Sequence, residues 1–189
     1  MHRAELARRL EETPVVAAVK SDAELPKALE SECGVVFVLY GDILTIGNIV
    51  ARLKDADKAV FVHVDLVAGL SAKEIAIDFI RENTRADGII STKQLLVRRA
   101  KSVGLLSVQR FFLLDSIALQ NIQRQMEQDC ADIVEVLPGA MPKVIRKIVA
   151  AAGKPIIAGG LIADKEDVVS ALGAGAVAVS STNPAVWFL

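Results

Sequence analysis

Cysteine and histidine are scarce in this chain of 189 residues. The two cysteines, Cys33 and Cys130, lie far apart and outside any CxxC pattern, which argues against a disulfide framework and predicts a reducing, cytoplasmic compartment. Only two histidines are present, one of them at position 2, so no metal site with recognisable ligand spacing is expected. The sequence also has no glycine-rich nicotinamide fingerprint, and we therefore expect no cofactor.

Long apolar runs and an excess of one charge are missing as well. No stretch of about 18 apolar residues occurs, and the first residues, "MHRAELARRLEETP", contain no apolar core typical of a signal peptide. We therefore expect no membrane partner. The chain has 22 basic and 23 acidic residues and a net charge of −1, so contact with a nucleic acid would require a local basic patch.

Apolar residues are abundant, at 52% of the chain, and form eight short runs rich in β-branched side chains. Segments with helical spacing lie between these runs. Strict alternation of strand and helix predicts right-handed βαβ units and a parallel sheet. Eight such units favour an α/β fold that closes into a compact (β/α)8 TIM-type barrel. We expect one domain over residues 1–189, with an additional N-terminal helix.

An open doubly wound sheet is the alternative architecture. That fold usually has a glycine-rich turn after its first strand, whereas the first strand here continues into "AVKSDAEL" without glycine. The barrel is therefore favoured. Its strands are predicted at Val15–Lys20, Gly34–Tyr40, Ala59–Leu66, Ala86–Thr92, Leu105–Leu114, Ile133–Pro138, Lys154–Gly159 and Ala176–Ser181.

Ionisable side chains occur near the carboxyl ends of five predicted strands, where the active sites of such barrels lie. Buried ionisable groups are costly unless they are paired or bound to a ligand, so together they predict a polar pocket. Each also has a structural interpretation. His63 fits a hydrogen-bonded interior histidine, and Asp65 fits a loop cap. Lys20 and Lys93 fit exposed lysines at the rim, and Arg110 with Glu135 fits an ion pair between neighbouring strands. The predicted pocket residues are Lys20, His63, Asp65, Lys93, Arg110 and Glu135.

The last two predicted strands end in small or hydroxylated residues. Gly159 and Gly160 follow the seventh strand, and Ser180 and Ser181 end the eighth, just before a short predicted helix at Pro184. Many barrels bind phosphate at this position, where glycine permits close approach of backbone N–H groups and hydroxyls donate directly. We predict that these four residues bind the phosphate of a ligand. A tight turn followed by a helix cap is the structural alternative.

Six motifs along the chain resemble those of the glycerol uptake operon antiterminator family of bacterial regulators. The resemblance implies a phosphate-binding (β/α)8 barrel, glycerol 3-phosphate as ligand, and antitermination on a leader mRNA of glycerol-utilisation genes. It also implies a regulator rather than an enzyme, so no catalytic residue is assigned. The motifs are "VHVDLVAGL" (62–70), "DGIISTK" (87–93), "QRFFLLDS" (109–116), "EVLPGAMPK" (135–143), "PIIAGGLI" (155–162) and "AVSSTNPAVW" (178–187).

Two other functions fit the residues. The polar pocket is also compatible with an enzyme of lyase or isomerase type acting on a small phosphorylated substrate, with acid–base chemistry or a Schiff base on Lys93. A protein that binds a phosphorylated metabolite, with neither turnover nor RNA, is the third possibility.

No known RNA-binding module is recognisable, so an RNA surface has to be sought among basic clusters. The densest is "VRRAK" (97–101), and Arg98, Arg99 and Lys101 are the predicted RNA contacts. Two further candidates are "PKVIRK" (142–147) and the N-terminal Arg3, Arg8 and Arg9. Each is also compatible with an ordinary solvated helix face, and a homo-oligomer is a further way to assemble one basic surface.

Overall fold

Eight parallel strands pair in chain order and close into a barrel, with the first strand also pairing with the eighth. This computed structural model describes residues 1–126 and 131–189, and Cys130 lies outside them. The predicted (β/α)8 barrel is confirmed. The strands are β1 Val15–Val19, β2 Val35–Val38, β3 Ala59–His63, β4 Gly88–Ser91, β5 Leu106–Phe112, β6 Ile133–Leu137, β7 Ile156–Gly159 and β8 Ala178–Ser181.

Helices alternate with the strands and surround the barrel. The predicted N-terminal helix is confirmed as α1, and a short 3-10 helix at Pro184–Phe188 follows β8. Two helices have side-chain N-caps: Asp164 accepts from the amide of Asp167, and Asn183 accepts from that of Ala185. The helices are α1 Arg3–Glu12, α2 Leu25–Glu30, α3 Ile46–Asp55, α4 Ile75–Asn83, α5 Gln94–Ser102, α6 Ser116–Met126, α7 Pro142–Ala151 and α8 Lys165–Gly173.

Several strands are shorter than predicted at their carboxyl ends. The predicted third strand continues to Leu66, but β3 ends at His63, where the amide of Leu66 donates to the His63 carbonyl and forms a turn. The apolar pattern continues past this point because loop residues also pack against the helices, as Val64 and Val67 do. Lys20, Asp65 and Lys93 therefore lie in loops rather than in strands.

The apolar core has two layers. Inside the barrel, side chains of alternate strand positions pack together, and Phe37 and Phe61 meet edge to face with ring centroids 5.9 Å apart. Leu6 and Leu10 of α1 belong to the same cluster, so this helix closes the amino-terminal end of the barrel. The remaining strand positions pack outward against the helices. The carboxyl ends of the strands are left for polar residues.

Within residues 1–126 and 131–189, no helix is long and apolar enough to cross a membrane.

Candidate functional site

The uppermost interior layer of the barrel is polar. Successive side chains of a strand point to opposite faces, so His63 shares the interior face with Phe61, and Glu135 shares it with Ile133. The same alternation puts Arg110, two residues after Val108, inside the barrel. At the carboxyl end of the barrel, the interior positions are His63, Arg110, Glu135, Gly159 and Ser180.

Glu135 is the centre of a buried network. Its side chain has no exposed surface, and its two carboxylate oxygens have different partners. Oε2 accepts a hydrogen bond from Nε of Arg110 at 2.5 Å, and Oε1 accepts one from the hydroxyl of Ser180 at 2.5 Å. Arg110 and Glu135 are paired in register on β5 and β6. The ion pair between neighbouring strands, one of the two interpretations of these residues, is therefore present.

Gly159 leaves the space that this network requires. A Cβ atom at this position would lie 2.5 Å from Oγ of Ser180 and 2.6 Å from Oε1 of Glu135. Both distances are far below van der Waals contact, so any side chain at 159 would displace one of these polar groups. The contact between Glu135 and Ser180 therefore explains why residue 159 is glycine. The phosphate contact assigned to Gly159 remains a prediction.

A cavity of about 90 Å³ opens beside this network, between the loops that follow β7 and β8. Gly160 and Leu161 in the first loop both have left-handed backbone conformations, with φ of 72° and 59°. Among the described residues, no protein acceptor is hydrogen-bonded to the amides of Leu161, Ile162 or Thr182. The lining residues are Ala18, Leu39, Arg110, Glu135, Leu137, Gly160, Leu161, Ile162, Ser180, Ser181 and Thr182.

Ser181 fixes the two loops to each other. Its hydroxyl donates to the carbonyl oxygen of Ile162 at 2.7 Å and accepts from the amide of Asn183 at 3.0 Å. The Asn183 side chain adds a second link, because its amide group donates to the carbonyl of Ala163 at 2.8 Å. These hydrogen bonds hold the two loops that bound the cavity to each other.

His63 is buried and neutral at physiological pH. It is only 3% exposed, and its Nδ1 atom lies 3.9 Å from Oδ2 of Asp65. Within the part of the chain that the structure describes, this nitrogen has no hydrogen-bond partner. Burial lowers the pKa of His63 to about 4, and the positive charge of Arg110 acts in the same direction. His63 is thus an interior residue, but in the described part of the chain its Nδ1 atom does not form the hydrogen bond that the structural interpretation requires.

Asp65 connects the loop after β3 to the end of β4. Its carboxylate accepts hydrogen bonds from the Ser91 hydroxyl at 3.0 Å and from the Thr92 amide at 2.7 Å, and Nζ of Lys93 lies 3.4 Å away. Burial acts to raise the pKa of Asp65, but the hydrogen bonds from Thr92 and Ser91 outweigh it and the pKa is lowered. Asp65 is thus an ionised loop anchor.

The structure brings only part of the predicted pocket together at the cavity. Arg110 and Glu135 line it, as do Gly160, Ser180 and Ser181. Lys20 and Lys93 lie at the same end of the barrel, but their side chains are 58% and 48% exposed and approach carboxylates, those of Glu24 and Asp65. Neither lysine belongs to the described lining, and neither do His63, Asp65 and Gly159.

Leu161 and Ile162 are not among the residues predicted for the site, and Thr182 is not among the four predicted phosphate contacts. Thr182 had a detectable signal, since its hydroxyl directly follows those of Ser180 and Ser181. Leu161 and Ile162 had no such signal. Their polar groups at the cavity are backbone amides, and an apolar residue type gives no indication that its backbone amide lacks an acceptor.

The predicted RNA contacts lie outside the barrel on α5, whose buried face is formed by Leu96, Val97 and Ala100. Arg99 donates from Nε and Nη2 to one carboxylate oxygen of Asp78 in α4, at 2.9 and 2.7 Å. Arg98 and Lys101 are exposed.

Comparisons with known proteins agree with this architecture. Residues 15–187 match the family described as glycerol-3-phosphate responsive antiterminator. The uncharacterized protein YgcP of Escherichia coli strain K12 is 47% identical over 184 residues, which cover 97% of this chain and 96% of that protein. Two solved structures are also similar. A glycerol uptake operon antiterminator regulatory protein from Listeria monocytogenes has a TM-score of 0.88 at 31% identity, covering 93% of this chain and 95% of that one. A glycerol uptake operon antiterminator-related protein from Thermotoga maritima has a TM-score of 0.79 at 38% identity, covering 92% and 96%.

Proposed function

Because the chain belongs to the glycerol-3-phosphate responsive antiterminator family, we propose that it binds glycerol 3-phosphate and acts as an antiterminator on the leader mRNA of glycerol-utilisation genes. The family resemblance predicted from six motifs is confirmed by the match over residues 15–187. Two relatives of known structure, 31% and 38% identical, are named as antiterminator proteins of the glycerol uptake operon or as related to them. Transcription in bacteria takes place in the cytoplasm, which is where this action belongs.

One observation carries the ligand assignment. The amides of Leu161, Ile162 and Thr182, which donate to no acceptor among the described residues, belong to two loops that line one cavity together with Arg110. Backbone N–H groups and guanidinium are the groups that bind phosphate oxygens in proteins. In this proposal the phosphate lies on the loops of Gly159–Gly160 and Ser180–Ser181.

The glycerol part of the ligand requires groups that accept and donate hydrogen bonds. Glu135 and Ser180 offer acceptor oxygens in the same cavity, and the Arg110 guanidinium offers N–H donors and balances part of the dianion charge. Lys20 and Lys93 contribute positive charge at the carboxyl end of the barrel. His63 belongs to the polar interior layer, and Asp65 anchors the loop after β3. A site that hydrogen-bonds substrate hydroxyls rejects ligands that lack them.

The proposed role is regulatory rather than enzymatic. Acid–base catalysis is most efficient when the pKa of the catalytic group lies near the working pH. The pKa of His63 is lowered to about 4 and that of Asp65 is lowered below its usual value, so neither group exchanges protons readily near pH 7. Ligand binding instead shifts the population toward an RNA-competent conformation. The cluster Arg98, Arg99 and Lys101 stays a candidate for the RNA contact.

A thermal unfolding series tests the ligand assignment. The protein is heated with glycerol 3-phosphate, glycerol, inorganic phosphate or a sugar phosphate, each at the same concentration. A ligand of the native state stabilises by RT ln(1 + [L]/Kd), about 2.7 kcal/mol at 100 times Kd. We expect the largest increase in midpoint with glycerol 3-phosphate. No increase with it, or an equal increase with inorganic phosphate, would refute the assignment.

A further inference from the structure

The three basic clusters of the sequence differ in how far the folded protein neutralises them. In the N-terminal cluster every arginine forms ion pairs with nearby carboxylates. Such pairs reduce the charge that a polyanion would meet. The pairs are Arg3 with Asp132, Arg8 with Glu5 and Glu12, and Arg9 with Glu5 and Asp57.

The cluster on α5 is partly neutralised. Arg99 binds Asp78 of α4 through two nitrogen atoms, and both side chains are partly buried at the contact between the two helices. Moving Arg99 to an RNA phosphate would break this pair and leave Asp78 without its cation.

The cluster on α7 is different. The helix contains Lys143, Arg146 and Lys147 and no acidic residue. All three are exposed, and their spacing of three and four residues puts them on one face, opposite the buried Ile145 and Ile148. No carboxylate oxygen of the described residues lies within ion-pair distance of any of these three side chains.

The cationic helix α7 also connects two of the strands that contribute to the candidate site. It follows β6, which contains Glu135, and precedes β7, which ends at Gly159. In the loop before α7, the amide of Gly139 donates to the carbonyl oxygens of Gly159 at 2.5 Å and of Gly160 at 2.9 Å. A Cβ atom at Gly139 would lie 2.9 Å from the carbonyl carbon of Ala158, so this loop is packed directly on the end of β7.

We infer that the exposed face of α7, formed by Lys143, Arg146 and Lys147, is the surface that contacts the phosphate backbone of the RNA. The inference rests on the proposed function and adds the location of the partner. A helix face with three cations and no acid attracts a polyanion through release of counterions, independently of base sequence. The hydrogen bonds of Gly139 connect the loop after β7, on which the phosphate is proposed to lie, with the loop from which α7 begins.

The test compares two triple variants of equal charge change. In the first, Lys143→Gln, Arg146→Gln and Lys147→Gln neutralise α7; in the second, Arg98→Gln, Arg99→Gln and Lys101→Gln neutralise α5. The probe is a fluorescently labelled transcript of the leader that precedes the glycerol-uptake operon in the same genome. Its affinity for each protein is measured by fluorescence anisotropy in the presence of glycerol 3-phosphate. The salt concentration is varied between about 0.05 and about 0.3 M, because contacts to phosphates weaken strongly with salt.

Each phosphate contact to single-stranded RNA contributes about 0.7 to the slope of log affinity against log salt concentration. Three contacts together contribute a slope of about 2, and losing them lowers the affinity roughly 100-fold at about 0.1 M salt. We expect the α7 variant to lose about this factor and about 2 units of slope, while the α5 variant changes far less. Both should bind glycerol 3-phosphate like the wild type, which shows that they are folded. Wild-type affinity in the α7 variant, or an equal or larger loss in the α5 variant, would overturn the inference while leaving the proposed function intact. Failure of the wild-type protein to bind the transcript would refute the RNA role itself.

Discussion

The carboxylate of Glu135 accepts a hydrogen bond from the hydroxyl of Ser180 at 2.5 Å, although β7 lies between the strands that contain these two residues. The contact is possible because Gly159, on the strand between them, has no side chain to occupy the space. A buried carboxylate that also pairs with Arg110 thus reaches the edge of the cavity proposed for glycerol 3-phosphate.

This buried ion pair should be costly to break from one side. Replacing one partner of a buried pair leaves an uncompensated charge and typically costs about 3–5 kcal/mol, whereas replacing both with apolar residues costs much less. We expect Arg110→Met to lower the free energy of unfolding by this amount and the double variant Arg110→Met, Glu135→Leu to recover most of it. Urea unfolding without ligand measures both.

The matched control for that pair is Arg85 with Asp55, whose nitrogen and oxygen lie 2.6 Å apart but whose side chains are 61% and 69% exposed. Exposed pairs contribute about 0–1 kcal/mol, so Arg85→Met should have little effect. A cost for Arg110→Met no larger than that for Arg85→Met would contradict the buried network. Glycerol 3-phosphate binding should be lost in both Arg110 variants and kept in Arg85→Met.

Gly160→Ala should weaken ligand binding beyond its effect on stability. With φ of 72° at Gly160, a side chain adds about 1–2 kcal/mol of backbone strain, and its Cβ would lie 3.1 Å from Leu137 in the cavity lining. Gly104→Ala is the control, because Gly104 has φ of 78° with nothing near its Cβ position and follows α5 outside the site. Both variants should lose similar stability in urea.

Only Gly160→Ala is expected to bind glycerol 3-phosphate more weakly, by about tenfold or more, which corresponds to the loss of one hydrogen bond to a charged group. Isothermal titration calorimetry at a temperature where both variants are folded measures the difference. Equal affinities of the two variants for glycerol 3-phosphate would mean that the phosphate does not bind at this loop.

His63 should make the protein less stable in mild acid. Its pKa is lowered from 6.5 to about 4 in the folded state, so the unfolded chain binds a proton more readily between these values. The free energy of unfolding therefore falls as the pH drops from 6.5 toward 4. Between pH 7.5 and 5.0 the loss attributable to His63 is about 2 kcal/mol. The neighbouring Asp65, whose pKa is lowered by its hydrogen bonds from Thr92 and Ser91, stays ionised over this range.

Urea midpoints at pH 7.5 and 5.0 test this prediction, with His63→Gln as the comparison. The variant cannot take up the proton, so its midpoint should change less between the two pH values than that of the wild type. Identical pH dependence in the two proteins would show that His63 is not buried in its neutral form.

Glycerol 3-phosphate should survive incubation with the protein. A regulator binds its ligand without changing it, so the phosphorus NMR spectrum should remain that of glycerol 3-phosphate over hours at neutral pH. Steady conversion that is abolished by Asp65→Asn would instead favour an enzyme of the lyase or isomerase type.

The barrel could be predicted because its signal is repeated eight times and is local. Each strand is an apolar run, and the interior positions of Arg110 and Glu135 follow from strand alternation once the runs are recognised. Their ion pair was one of two open interpretations, since register between β5 and β6 decides it.

Contacts between distant loop residues could not be predicted. The anchoring of Asp65 depends on the loop after β4. The amides of Leu161 and Ile162 have no acceptor in the described part of the chain, which depends on backbone conformation rather than on side-chain type. The same holds for charges on the helices. Arg99 looks like any solvated arginine in the sequence, and only the packing of α5 on α4 brings Asp78, 21 residues away, to its guanidinium.

Ligand and RNA are expected to bind to one protein and to influence each other's affinity. The affinity for the leader transcript with and without saturating glycerol 3-phosphate tests this coupling most directly. Fluorescence anisotropy at fixed salt measures this affinity. Coupled sites typically differ by about 5- to 150-fold, and linkage requires that RNA raise the affinity for the ligand by the same factor. We expect glycerol 3-phosphate to tighten RNA binding within this range, with glycerol and inorganic phosphate having no such effect. An RNA affinity that is the same with and without glycerol 3-phosphate would contradict the account.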